Sequence, residues 1–146
     1  MTATRTRKQV KQYNHHRKEV EPADAGCAFC DINEDTPHLV EITTYFKLFR
    51  NIFPYSVWDN FTVEDHLLLS PKRHTDSLIE LPDKADIEFV KIISEYEAKG
   101  YNVYARAPGQ GMKSIVHQHT HLIKAGRKRV KLLFYLRKPY VRWELH

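Results

Sequence analysis

An α+β domain built on an antiparallel sheet is what this sequence predicts, and three observations carry the prediction. Short segments rich in β-branched and aromatic residues lie before and after one long stretch of helical spacing, which favours segregated strands over repeated βαβ units. Residues 114–123 alternate histidine with other residues, the two-residue period of a strand. A chain of 146 residues is also the size of one ordinary domain, which buries about two-thirds of its unfolded surface without disulfides.

The elements follow in order. Residues 1–22 are polar, lack an apolar period and end at Pro22, so a mobile basic arm is expected there, with a single domain over 23–146. Residues 39–49 mix β-branched and aromatic side chains and read as one strand, stopped by a turn at 51–54. A loop of turn formers and aromatics (FPYSVWDNFTVED) comes next; its Tyr55, Trp58 and Phe61 either wall a pocket or pack beneath the loop. Residues 66–70 form a short apolar strand that Pro71 stops. Beyond Pro82, the residues Ala85, Phe89, Ile92, Ile93 and Tyr96 recur at helical spacing, and Gly100 stands just past their end, so a long helix is expected. Residues 101–107, 114–123 and 131–137 read as further strands, with Pro-Gly-Gln-Gly at 108–111 as a turn.

The net charge of +5 conceals an asymmetry. Residues 1–20 carry six Lys/Arg against one acid and residues 124–142 carry eight against none, while 21–123 hold nine against sixteen, a net of −7. The arm and a basic C-terminal extension, 124–146, would therefore attract polyanions such as nucleic acid, or serve only as solvated charge. No run approaches the roughly 18 apolar residues of a membrane span, so no membrane partner is expected and a cytoplasmic location is.

Cys27 and Cys30 are the only cysteines, and a bridge between them would close a loop too small to constrain the chain. Cys-x-x-Cys suggests zinc or redox chemistry instead. Two thiolates leave zinc two ligands short, so histidines must complete a set; two unligated thiols are the alternative. A thioredoxin-like role fits poorly, because no βα unit follows Cys30.

His117, His119 and His121 alternate with Gln118 and Thr120. On a strand the three imidazoles would share one face about 7 Å apart. Crowded imidazoles disfavour one another's protonation, and a neutral ring keeps a lone pair able to attack phosphorus or bind a metal.

The stretch HQHTHLI resembles the signature of the histidine triad family of nucleotide hydrolases and transferases. CAFCDI, RNIFPY, HLLLSPKRH, the long helix and the triad occur in the family's order, from about Cys27 to Ile123. The resemblance implies a five-stranded antiparallel sheet with a long helix and a shorter one, a homodimer, and chemistry through a nucleotidyl-histidine. Carried over by position, His119 would be the nucleophile at the α-phosphorus of a nucleotide. His121 would contact the phosphate and leaving group, and His117 and His66 would orient the nucleophile. Ser114 would donate to the phosphate, Asn51 would meet the ribose hydroxyls and Ile52 the base. The substrate would be a dinucleoside polyphosphate, a nucleoside phosphoramidate or an adenylylated adduct. The resemblance also implies a structural zinc held by Cys27, Cys30, His66 and His117, with no cofactor required for the chemistry.

The sequence departs from the family's pattern just before Ser114, where Met112 and Lys113 replace a Gly-Gln or Gly-Asn pair. Lys113 could act as a cationic phosphate ligand, or Gln110 could reach the site through a shifted loop. A second reading is a non-catalytic nucleotide- or RNA-binding module of the same fold with a structural zinc. A third treats the histidines as metal ligands only.

Overall fold

The computed structural model describes residues 3–5, 7–20, 26–110, 113, 115–130, 132–137 and 140–145; residues 3, 4, 7, 16–20 and the last two runs are described by their backbone alone. In chain order the elements are β1 (Ala3–Thr4), α1 (Arg7–Val20), β2 (Leu39–Ile42), β3 (Phe46–Arg50), β4 (Val57–Trp58), β5 (Phe61–Pro71), a 3-10 turn at Leu78–Glu80, α2 (Asp83–Ala98), β6 (Tyr101–Ala105), β7 (Thr120–Arg129), β8 (Leu132–Arg137) and β9 (Tyr140–Leu145). Five strands form the body of an antiparallel sheet in the order β2-β3-β5-β7-β6. The two-residue strands β1 and β4 extend it beside the first part of β5, and β8 and β9 form a separate hairpin. This is the α+β class that the sequence predicts.

Strand alternation decides what each face does. Phe46, Leu48, Leu67, Leu69 and Leu122 point to one face, where Phe89, Ile92 and Ile93 of α2 cover them. Burying each such side chain stabilises the fold by roughly 1.5–3 kcal/mol. Glu88 of α2 accepts from the Tyr45 amide at 2.9 Å and from the Thr43 hydroxyl, which ties the helix to the β2–β3 turn. Gly100, at φ 86°, supplies the left-handed residue that ends α2 and lets β6 start at once. On the opposite face Phe49 and Leu68 pack with Phe29 and Ile32 from the Cys-x-x-Cys segment. That face also receives the histidines, because Leu68 pairs with His121 and His66 pairs with Ile123 across β5 and β7.

Four local expectations change. Residues 39–49 are two strands, because Thr43 turns the chain, its amide donating to the Phe46 carbonyl at 2.9 Å and its hydroxyl oxygen accepting from the Phe46 amide at 3.1 Å. The segment expected as a loop before His66 is a hairpin: Asp59 and Asn60 both take positive φ, 49° and 68°, the backbone of a two-residue turn whose twist suits β4 and β5. The strand expected over 114–123 begins only at Thr120 and continues to Arg129, so residues 124–129 of the basic extension belong to the sheet. Finally, residues 7–20 form a helix despite their lack of an apolar period. Tyr13 packs edge-on against Phe53 at 5.5 Å, so one aromatic anchors this helix where an apolar stripe would ordinarily do so. Among the described residues no helix is long and apolar enough to cross a membrane.

Candidate active site

His121 stands on β7 and His66 on β5, and the pairing of those strands brings their rings together. His66 Nε2 lies 2.8 Å from His121 Nδ1. The other His66 nitrogen, Nδ1, accepts from the Tyr55 amide at 3.1 Å, so the proton of His66 must be on Nε2 and is donated to His121. His121 therefore accepts at Nδ1 and carries its own proton on Nε2. Tyr55 lies against both rings, with centroids 4.9 Å from His66 and 5.6 Å from His121.

His117 and His119 precede β7 in irregular chain, so the three imidazoles do not line one strand face. The bend separates their tasks. His119 Nδ1 lies 2.8 Å from the carbonyl of His117, to which only an N–H can donate, so His119 keeps a lone pair on Nε2. Its ring packs edge-on against His121 at 5.1 Å and against Phe29 at 5.2 Å. His117 turns away: its Nε2 donates to the Pro71 carbonyl at 2.9 Å, leaving the Nδ1 lone pair directed at the cysteines.

All four rings are held neutral, burial being the first cause in each case. His66 is pushed down to about 3, with the charge of Arg5 as the next contribution, and His117 to about 4. His119 is lowered by burial and by the charges of Lys113 and Arg106. His121 falls well below its ordinary value through burial and its histidine neighbours.

His119 and His121 open on a cavity of about 690 Å³, which Asn51, Ile52 and Phe29 also line. Ile52 is 52% exposed and lines the cavity, which leaves its side chain available to a ligand. Asn51 lines the cavity while its Oδ1 accepts from the Phe53 amide at 2.9 Å. Lys113 is directed elsewhere, its Nζ donating to Gln118 Oε1 at 2.7 Å and to the Asp76 carbonyl at 3.0 Å. Gln110 is exposed on the turn that Gly109 makes at φ 72°, outside the cavity lining. Ser114 lies outside the described residues.

Beside this cavity, Cys27, Cys30, His74 and His117 offer ligand atoms that all lie within 4.8 Å of one another. His117 Nδ1 is 3.3 Å from Cys27 Sγ and 3.5 Å from Cys30 Sγ, and His74 Nδ1 is 3.3 Å from Cys30 Sγ. Ligands at about 2.3 Å for sulfur and 2.0–2.1 Å for nitrogen around a tetrahedral ion stand about 3.5 Å apart, so the set can hold a metal. His66, expected here, is not a member: both of its ring nitrogens are engaged, with Tyr55 and with His121. His74, the last residue of HLLLSPKRH and three residues beyond Pro71, takes its place; the resemblance gave it no ligand role.

Comparison with solved structures agrees with this geometry. A protein from Leishmania major aligns with 71% of this chain and 77% of its own, at 24% identity and a TM-score of 0.54. A HIT family hydrolase from Legionella pneumophila Philadelphia 1 aligns over 70% and 95%, at 24% identity and a TM-score of 0.51. The histidine triad nucleotide-binding protein from Candida albicans aligns over 69% and 76%, at 25% identity and a TM-score of 0.50. This chain has the fold of the histidine triad proteins. No family model and no curated protein sequence matches it, so the likeness is one of fold. Within the site, the parts that sequence reasoning missed are His74 at the cysteines, Tyr55 on the paired histidines, and Arg5 and Tyr13 on the cavity wall. A histidine beside Pro71 was visible as a signal for the first; a stacking partner for a histidine 66 positions away leaves no trace in sequence.

Proposed function

We propose that this protein is a nucleotidyl hydrolase or transferase that cleaves at the α-phosphate of a nucleotide through a covalent intermediate on His119. The supporting observation is the tautomer of His119: its Nδ1–H is committed to the His117 carbonyl, so the nucleophilic lone pair is the one on Nε2. That nitrogen attacks phosphorus, a phosphorus–nitrogen bond forms, and the bond to the leaving group breaks. His121, whose Nε2 bears a proton in the arrangement set by His66, donates a hydrogen bond from it to the departing group, which leaves with its electron pair and takes any proton it needs from water. Water or another acceptor then attacks the phosphorus, the phosphorus–nitrogen bond breaks to release His119, and the attacking group's proton passes to solvent. Asn51 and Ile52 take the ribose and base. The nucleotide-binding and hydrolase descriptions of the related structures support the same reading.

The four-residue cluster is read as a structural zinc site. Two thiolates and two imidazoles are the donors zinc favours, and when bound there the ion would supply folding energy and no chemistry. Cys27, Cys30, His74 and His117 would hold it. Its presence would fix the His117 ring, and with it the carbonyl that orients His119.

The test is incubation with diadenosine polyphosphate and with an adenosine phosphoramidate, followed by intact mass and quantification of released AMP. The expected result is AMP release by the native chain, a mass increase localised to His119 in quenched samples, and loss of both in His119→Asn with nucleotide binding retained. Turnover that survives His119→Asn would refute the mechanism.

A further inference from the structure

The segment before the first family-like motif enters the candidate site. Ala3–Thr4 pairs with Val57–Trp58, which delivers Arg5 to the cavity that His119 and His121 line. Arg5 Nε–H donates to the Phe53 carbonyl at 2.8 Å. Its guanidinium carbon lies 4.9 Å from the Tyr13 ring centroid and 4.9 Å from that of Tyr55. Tyr13, from α1, lines the same cavity, and Gln9 of α1 bonds to Ser56. A strap of the chain's own N-terminal region thus closes over the loop that carries Asn51 and Ile52.

This placement restricts what Arg5 can recognise. The guanidinium already sits over the faces of two tyrosine rings, so the aromatic partners near it are taken up by the protein itself. One of its five N–H groups is used, and among the described residues the others meet no carboxylate or other acceptor. The N–H groups left over form the fork that matches two oxygens of a phosphate. Tyr55, whose ring carries the Arg5 guanidinium, packs on His121, so Arg5 lies toward the histidine assigned to the leaving group. The electrostatics agree, because the charge of Arg5 is among the causes that hold both His66 and His121 neutral.

We infer that Arg5 is a specificity-determining residue that takes a phosphate beyond the one attacked, which makes nucleoside polyphosphates the substrate class. The inference rests on the nucleotide-site reading given above, and it concerns residues that this reading does not use. It also assigns the cationic role to Arg5 in place of Lys113, which Gln118 and Asp76 already occupy.

The test is calorimetric titration of the full chain with AMP and with ADP, for the native protein, Arg5→Ala and Arg5→Lys. The native chain should bind ADP at least about tenfold more tightly than AMP, as a charge-assisted bidentate contact would give. Arg5→Ala should bring ADP to within about twofold of AMP while leaving AMP nearly unchanged, and Arg5→Lys should recover only part of the preference. A strap that merely closes the pocket would weaken AMP and ADP in equal proportion, and that outcome overturns the proposal. So does a native chain without preference for ADP, or a preference that survives Arg5→Ala. The two readings fail separately. If the native chain releases no monophosphate but its ADP preference collapses in Arg5→Ala, catalysis is refuted and this inference stands. If turnover depends on His119 while the preference survives Arg5→Ala, the reverse holds.

Discussion

His66 Nε2 and His121 Nδ1 lie 2.8 Å apart, and the Tyr55 amide at the far nitrogen of His66 dictates which of the two donates. A backbone N–H can only donate, so the proton order along Tyr55, His66 and His121 is settled without any charged group. The consequence is a proton on the outward nitrogen of His121.

Replacing His66 by Phe keeps an aromatic ring in the buried site but removes the donor that selects the His121 tautomer. Release of nucleoside monophosphate should fall about 100-fold in kcat, the scale of a lost hydrogen-bond donor, with KM changed less than about threefold. Steady-state kinetics on the variant would decide this; an unaltered kcat would show that His121 needs no orientation.

Metal content separates His74 from His66. Protein produced in the presence of zinc should carry about one ion per chain, and His74→Ala should lose most of it, since three ligands remain where four are wanted. His66→Phe should keep the full complement. Elemental analysis reads both, and chelation should lower the melting temperature of the native chain and of His66→Phe but hardly that of His74→Ala, because binding energy at such a site is folding energy.

Stability should fall on acidification below the ordinary histidine range. The folded protein holds His66 at about 3, far below its value of about 6.5 in an unfolded chain, so between those values the unfolded chain binds the additional proton. Stability therefore rises with pH across this window, is complete above about 6.5, and is lost as pH falls toward 3, by up to about 1.4 kcal/mol per pH unit for this one group. His117 and His121 add with the same sign. Urea denaturation at pH 7 and pH 5 measures the slope, and equal midpoints would contradict burial of neutral rings.

Gly126 sits where β5 bulges against β7. A Cβ there would lie 3.0 Å from Thr62 Oγ1 and 3.2 Å from the Thr62 carbonyl, and the carbonyl cannot rotate aside. Gly126→Ala should cost about 1–3 kcal/mol, as overpacking does, visible as a drop of several degrees in melting temperature. A neutral effect would mean that the bulge adjusts freely.

Much of this architecture was legible in one dimension. The helical spacing of Ala85, Phe89, Ile92, Ile93 and Tyr96 located α2, since only a helix brings those residues to one stripe. The His-x-His-x-His pattern correctly marked a cluster of neutral imidazoles, although the strand it implied begins at Thr120 and two of the three rings precede it. The hairpin through Asp59 and Asn60 was hidden because Asp-Asn tolerates positive φ without demanding it as glycine would.

By itself, then, the sequence determined the chemistry on offer: which side chains carry lone pairs, which segments alternate, and where the long helix must lie. Tertiary structure alone decided how those groups are shared. Pairing of β5 with β7 gave His66 to His121, the bend before Thr120 turned His117 toward Cys27 and Cys30, and the pairing of β1 with β4 carried Arg5 to the cavity. The physical reason is that hydrogen bonds form between neighbours in space. Partners separated by 55 residues, as His66 and His121 are, or by 90, as Cys27 and His117 are, meet only when strand register and chain reversal have both been set.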